Sequence, residues 1–182
     1  MRYRVIIYAL AAMLLVSGCG LVSGTIFISQ DVSGSVESNV GGTLDDTFAG
    51  QVVDFHGNDD WDRVDIDGVE DVCVRLTAEN LLEQNVSGEV WITPGDSMYA
   101  TADQVRGNGF RIFHGLALGP HSAPNGTRTF TCVETLLLFE NLDQLADAVA
   151  NGVFGAWAIG DQNTYHIRYS GIVFGIHVTG SL

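Results

Sequence analysis

The chain has 182 residues, with 22 acidic side chains against eight basic ones and a formal net charge of −14. Every basic residue is arginine, and lysine is absent. So acidic a chain repels nucleic acid and anionic lipid surfaces, which excludes nucleic acid as a partner class, and its length suits one domain with a core of its own.

Arg2 and Arg4 stand before an apolar stretch over residues 5–16, and Val16-Ser17-Gly18-Cys19 closes it. A charged start, a short apolar core and small residues are the layout of a secretory signal. The stretch falls short of the roughly 20 apolar residues that span a bilayer. With Cys19 at its end, the run resembles the lipobox of bacterial lipoproteins. That resemblance implies a signal peptide over residues 1–18, acylation of Cys19, a lipidated tether over 19–24 and a folded domain over 25–182. It also implies a cell-envelope location. Gly20 stands where an aspartate would retain a lipoprotein in the inner membrane under the enteric sorting rule, so the outer membrane is favoured.

Further along, residues 25–29 read as a first strand. Residues 31–46, rich in Ser, Gly, Asn and Asp, read as a loop with at most one weak strand. A strand is predicted over 51–55. Residues 69–79 alternate most clearly, with Val72, Val74 and Leu76 on one face and Cys73, Arg75 and Thr77 on the other. Strands are predicted over 86–93 and 109–118, and a long one over 127–139. Asn141 and Gln144 suggest a capping box for a helix near 141–150. Its apolar face comprises Leu142, Leu145, Ala146 and Val149, and Asn151-Gly152 supplies a left-handed end. Two closing strands follow over 153–159 and 165–178, and Gly171 marks a bulge where the apolar parity shifts.

About seven to nine short strands with one short helix predict an all-β fold, a single antiparallel β-sandwich of immunoglobulin-like type. The arrangement resembles the small sandwich domains of bacterial surface and periplasmic lipoproteins, a likeness of pattern that implies no activity. The capped helix and the lipid anchor argue against a transmembrane barrel.

With Cys19 acylated, Cys73 and Cys132 remain, both in strand-like contexts. Export to an oxidising compartment favours a bridge between them over two separate buried thiols. Asp59, Asp60, Asp62, Asp65 and Asp67 crowd around Trp61, with Glu70 and Asp71 following. Crowded carboxylates suit a hard cation, so calcium is the candidate metal; the alternative is a solvated acidic segment. Asp65-Ile66-Asp67-Gly68 matches part of a calcium loop, but Arg63 and Val74 stand where ligands belong. Gly95-Asp96-Ser97-Met98 resembles the serine block of a lipase and esterase family, yet no Asp-x-x-His partner follows. The scattered histidines read as half-buried strand or loop residues. Trp91 and Trp157 read as core, and Trp61, set among acids, as the tryptophan to test for ligand contact.

These features predict a lipid-anchored, non-catalytic binding or scaffold module with no cofactor, its partners an envelope protein or surface polymer. A calcium-dependent adhesion or carbohydrate-binding module is the alternative, and a hydrolase, lacking a visible nucleophile–base pair, is a distant third.

Overall fold

Residues 72–77 lie on an inner strand of one sheet, with Val72, Cys73 and Val74 buried and Arg75 exposed. The computed structural model describes residues 23–38 and 47–181; Cys19, the signal peptide and most of the tether lie outside them. The elements run β1 (Ser23–Glu37), β2 (Phe48–Asp54), α1 (Asp59–Asp62), β3 (Asp65–Asn80), β4 (Val86–Pro94), α2 (Ala102–Asn108), β5 (Phe110–Leu118), β6 (Thr127–Phe130), α3 (Cys132–Leu138), α4 (Leu142–Ala150), β7 (Val153–Gly160) and β8 (Ile167–Ser181). One sheet has the order β1-β8-β3-β6 and the other β2-β7-β4-β5, with every pairing antiparallel.

The predicted β-sandwich is therefore present, but its strand order is not the immunoglobulin one. Each strand of one sheet is followed in sequence by a strand of the other over the first half of the fold, which is the eight-stranded jelly-roll arrangement. Strand spacing and parity read the same way for both, so the sequence pattern alone does not separate them.

Three segments differ from expectation. Residues 31–37, read as loop, continue β1 against β8. Gly34, at φ +87°, and a register shift between Val32 and Ser35 break the alternation that marks a strand. Residues 127–139, read as one strand, split after Phe130. Thr131 caps α3 through its side chain, and Glu134 reaches back to the Thr131 backbone, a full capping box that stops the sheet. Cys132 thus opens a helix rather than lying in a strand. The helix at 142–150 forms as predicted, but Asn141 does not cap it. It sits at φ 57°, and its Nδ2 donates instead to the Arg111 carbonyl at 2.7 Å. Leu142 points outward, while Leu145, Ala148 and Val149 are buried.

Helix α2 was not anticipated. Thr101 caps it, and Ala102 and Val105 bury against the outer face of the second sheet, beside Trp157 and Ile159. Trp157 is core as expected, though on that outer face, where its Nε1 donates to Thr93 Oγ1 at 2.9 Å. Gly50 makes room for it: a Cβ there would meet the indole at 1.9 Å. Gly171 lies at φ 58°, and the β3–β8 register shifts beside it, which is the expected bulge.

Between the sheets the core falls into two clusters. The larger gathers Val53, Phe55, Val74, Ile92, Ile112, Leu145, Phe154 and Phe174, with neighbours from both sheets. The smaller gathers Ala49, Val86, Leu116, Phe130, Tyr165, Ile167 and Tyr169.

Candidate ligand cavity between the sheets

Strand β7 sends Phe154, Ala156 and Ala158 to the sandwich interior, and β2 sends Ala49, Gln51 and Val53. Four of these six are small or polar where a sandwich core ordinarily places large apolar groups. A cavity of about 100 Å³ results, at the seam between the two core clusters. Val74, Ile112 and Phe174 wall it from the larger cluster, and Leu116, Phe130 and Tyr169 from the smaller. No charged side chain lines it.

A short helical clasp closes one side. β6 pairs only with residues 76–79 of β3, so the edge of β3 at Val74 has no strand neighbour on that side. Thr135 of α3 takes the missing place: its hydroxyl accepts from the Val74 N–H and donates to the Val74 carbonyl, each at 3.0 Å. Cys132, one turn earlier, is disulfide-bonded to Cys73, with Cα atoms 5.0 Å apart. At the far end, Glu140 N donates to the Ile112 carbonyl at 2.8 Å, and Arg111 Nε donates to Glu140 Oε1 at 2.7 Å. The Arg111 hydrogen bond holds the Glu140 carboxyl below its ordinary range. Residues 132–140 are thus pinned to β3 of one sheet and β5 of the other. Leu138 lines the cavity and is 40% exposed, which places it at the mouth.

Polar atoms in the wall are few. Thr135 is fully engaged by backbone partners. The Tyr169 hydroxyl pairs with that of Tyr165, and burial pushes both phenols far above their usual range, so both stay neutral. Gln51 is different. It lines the cavity from the edge strand β2 opposite Ala156 and is half-buried, whereas the buried side-chain polar atom left without a partner among the described residues is Trp91 Nε1.

The residues singled out from sequence are placed as follows. Cys73 and Cys132 are brought together as expected. Asp59, Asp60 and Asp62 ride on α1, which Asn58 caps, whereas Asp65 and Asp67 lie on β3. Asp59 pairs with Arg63, and Asp62 accepts from the Gly57 N–H. Among the described residues, no three His, Cys, Asp or Glu side chains converge to hold a metal ion. Trp61 is not a surface contact: it is 7% exposed and packs on Phe55 at a ring separation of 5.0 Å. Burial of its indole beneath α1 accounts for the placement of a tryptophan among acids. Ser97 is exposed after β4 and makes no hydrogen bond to a histidine among the described residues. All five histidines instead face carboxylates: His56 with Asp54, His114 with Glu140, His121 with Glu79, His166 with Glu37 and His177 with Asp71.

The cavity was missed in the sequence. The signal available was parity: two successive inward positions of β7 are alanine, and an inward position of β2 is glutamine.

No family model matches the chain, and no curated protein matches it. Among solved structures, the chain is similar to that of Desmodium yellow mottle tymovirus at 10% identity, covering 90% of this chain and 91% of that one, with a TM-score of 0.31. It is similar to the tobacco streak virus coat protein dimer at 12% identity, covering 87% and 86%, with a TM-score of 0.31. Empty-head turnip yellow mosaic virus gives 12% identity, 90% and 84% coverage, and a TM-score of 0.34. Superpositions this loose carry no conclusion about function.

Proposed function

We propose that the chain is an exported, lipid-anchored domain that binds rather than transforms, with the cavity between its sheets as the binding site. The cavity is the observation that supports binding. Native interiors are packed like organic crystals and hold few voids wider than a water molecule. At roughly 24 cal/mol per Å³, an empty hollow of about 100 Å³ costs on the order of 2 kcal/mol, which collapse of the walls would recover. The disulfide, the Thr135 bonds and the Glu140 bonds oppose that collapse. Apolar cavities of this order stay dry and admit benzene or xenon. With no charged side chain in the wall, the site is suited to holding an apolar molecule and not to moving protons.

Export and anchoring rest on Val16-Ser17-Gly18-Cys19. The Cys73–Cys132 cross-link agrees with them, because structural disulfides persist in oxidising compartments. Two or more acyl chains on Cys19, at about 0.8 kcal/mol per buried methylene, hold the domain to a membrane. β1 already begins at Ser23, two residues before the expected domain boundary, so the tether between Cys19 and the sheet is short.

Two measurements test the reading. Benzene at millimolar concentration should raise the melting temperature of the purified protein. Ala156→Leu, which fills the hollow, should raise the melting temperature without benzene and abolish the benzene effect. An unchanged wild-type melting curve contradicts the binding site. Separately, Cys19→Ser should lose the acyl mass and leave the membrane fraction or accumulate as precursor; fractionation identical to wild type contradicts the anchor.

A further inference from the structure

We infer that β1 is a dimer seam: its open edge pairs antiparallel with β1 of a second copy of this chain, Thr25 opposite Thr25, joining the two β1-β8-β3-β6 sheets into one. The seam is independent of the cavity between the sheets.

β1 is an edge strand, paired with β8 on one side and with no strand on the other among the described residues. Edge strands are ordinarily blunted by shortness, charge, proline, a bulge or a cover. The other edges are shorter or interrupted. β6 has four residues and passes into the clasp, β2 has seven and ends on Asp54, and β5 shifts register twice against β4. β1 has fifteen residues. Over residues 23–30 it carries neither charge nor proline, in a chain of net charge −14, and its register against β8 is unbroken as far as Val32. Thr25, Ile26, Phe27 and Ile28 suit a strand, and Phe27 is 54% exposed.

The backbone groups at that edge follow from two sets of bonds. The Ser29 carbonyl accepts from Asn58 Nδ2 at 2.9 Å, so Ser29 faces away from β8. Across the sheet, Val74 bonds to Thr135 and also faces away from β8. Cys73 and Arg75 therefore bond to Gly175 and Val173, and Phe174 and Ile176 turn to Gln30 and Ile28 of β1. Thr25 and Phe27 share the parity of Ser29, so their N–H and C=O groups point to the open edge. Asn58 covers the edge at Ser29, which leaves residues 23–28 for a partner.

That stretch is complementary to itself. A two-fold axis at Thr25 sets Thr25 opposite Thr25 and Ser23 opposite Phe27 in both halves, and each such pair exchanges both N–H···O bonds. The anchor favours a second copy over an unrelated strand. Cys19 lies just before Ser23 in the chain. Pairing at Thr25 sets the two Ser23 residues about 14 Å apart, at about 3.4 Å per residue, so both acyl anchors reach one membrane from the same seam. Confinement to one surface also raises the effective concentration of the copies, which opposes the repulsion between two acidic chains.

The test takes the full chain in dodecyl maltoside, with molar mass read by light scattering over a dilution series. Wild type should be dimeric and dissociate on dilution. Thr25→Pro deletes an N–H that β8 does not use. It should raise the dimer dissociation constant by about tenfold or more, for the loss of one hydrogen bond in each half, and keep the melting temperature of the monomer. p-Benzoylphenylalanine in place of Phe27 should cross-link on illumination to the Ser23 segment of a second copy, and it carries the test if Thr25→Pro fails to fold. A wild type that is monomeric at every dilution, a folded Thr25→Pro dimer as tight as wild type, or a Phe27 cross-link that falls within one chain or on another segment overturns the seam. Each of these leaves the cavity and the Cys19 anchor standing, since benzene melting shifts and membrane fractionation read those separately.

Discussion

Thr135 shows how one side chain replaces a strand. The β3 backbone at Val74 faces away from β8 with no neighbouring strand, and one hydroxyl serves both its N–H and its carbonyl. Thr135 is 3% exposed, so water does not substitute for the lost partner. Thr135→Val keeps the shape and removes the hydroxyl. It should lower stability by about 1–3 kcal/mol in urea unfolding, since buried backbone groups lose their partner, and Thr135→Ser should recover most of the loss. A neutral Thr135→Val would mean that the clasp is held by its ends alone. Glu134, beside it, makes the clasp pH-sensitive. The Thr131 N–H donates to its carboxylate at 2.8 Å, and this bond holds the carboxyl below its ordinary value of 4.5. Arg128, 4.0 Å away, acts in the same direction. A carboxyl with a depressed folded value adds stability that is complete above pH 4.5 and is lost as pH falls through the lower folded value. Protection of α3 amides relative to their intrinsic exchange rates should therefore fall below about pH 4.5, ahead of the strands, and the fall should shrink in Glu134→Gln. Equal acid sensitivity in that variant would locate the effect elsewhere.

At the scale of elements, periodicity carried the reading wherever side chains alternate without interruption. The strands at 86–94 and 110–118 and the helix at 142–150 follow from parity and from the i, i+3, i+4 pattern. The misreadings occur where a local bond overrides the apolar pattern. Val133, Leu136, Leu137 and Leu138 look like a strand end, yet the Thr131–Glu134 capping box turns them into α3, leaving Val133 and Leu137 largely exposed. A Thr-x-x-Glu spacing was present in the sequence and was the signal to read. Within α4, Leu142 and Leu145 looked equivalent, but Asn141 enters the helix in a left-handed conformation, and Leu142 faces solvent while Leu145 is fully buried. Leu145→Asp should therefore unfold the domain or cost more than about 4 kcal/mol, because an unpaired charge enters the larger core cluster. Leu142→Asp should change stability by no more than about 0.5 kcal/mol. Similar costs at the two positions would contradict the helix orientation.

At the scale of the whole molecule, the sandwich was legible and its connectivity was not. Strand pairing between segments as distant as β1 and β8, or β3 and β8, depends on three-dimensional closure that no local pattern encodes. The Cys73–Cys132 pairing was legible from chemistry, since with Cys19 read as acylated two cysteines remain and have one way to join. The cavity was not, because a hollow is a property of facing walls: Ala156 and Ala158 are unremarkable until Gln51, Phe113 and Tyr169 are known to face the same space. That space is the centre of the account, and xenon reports on it most directly. Crystals of the protein pressurised with xenon should show the gas bound between the sheets, beside Ala156 and Ala158 and under the clasp, and Ala156→Leu crystals should not. An interior without xenon, its walls closed on one another, would contradict the claim that this fold is built around a binding cavity.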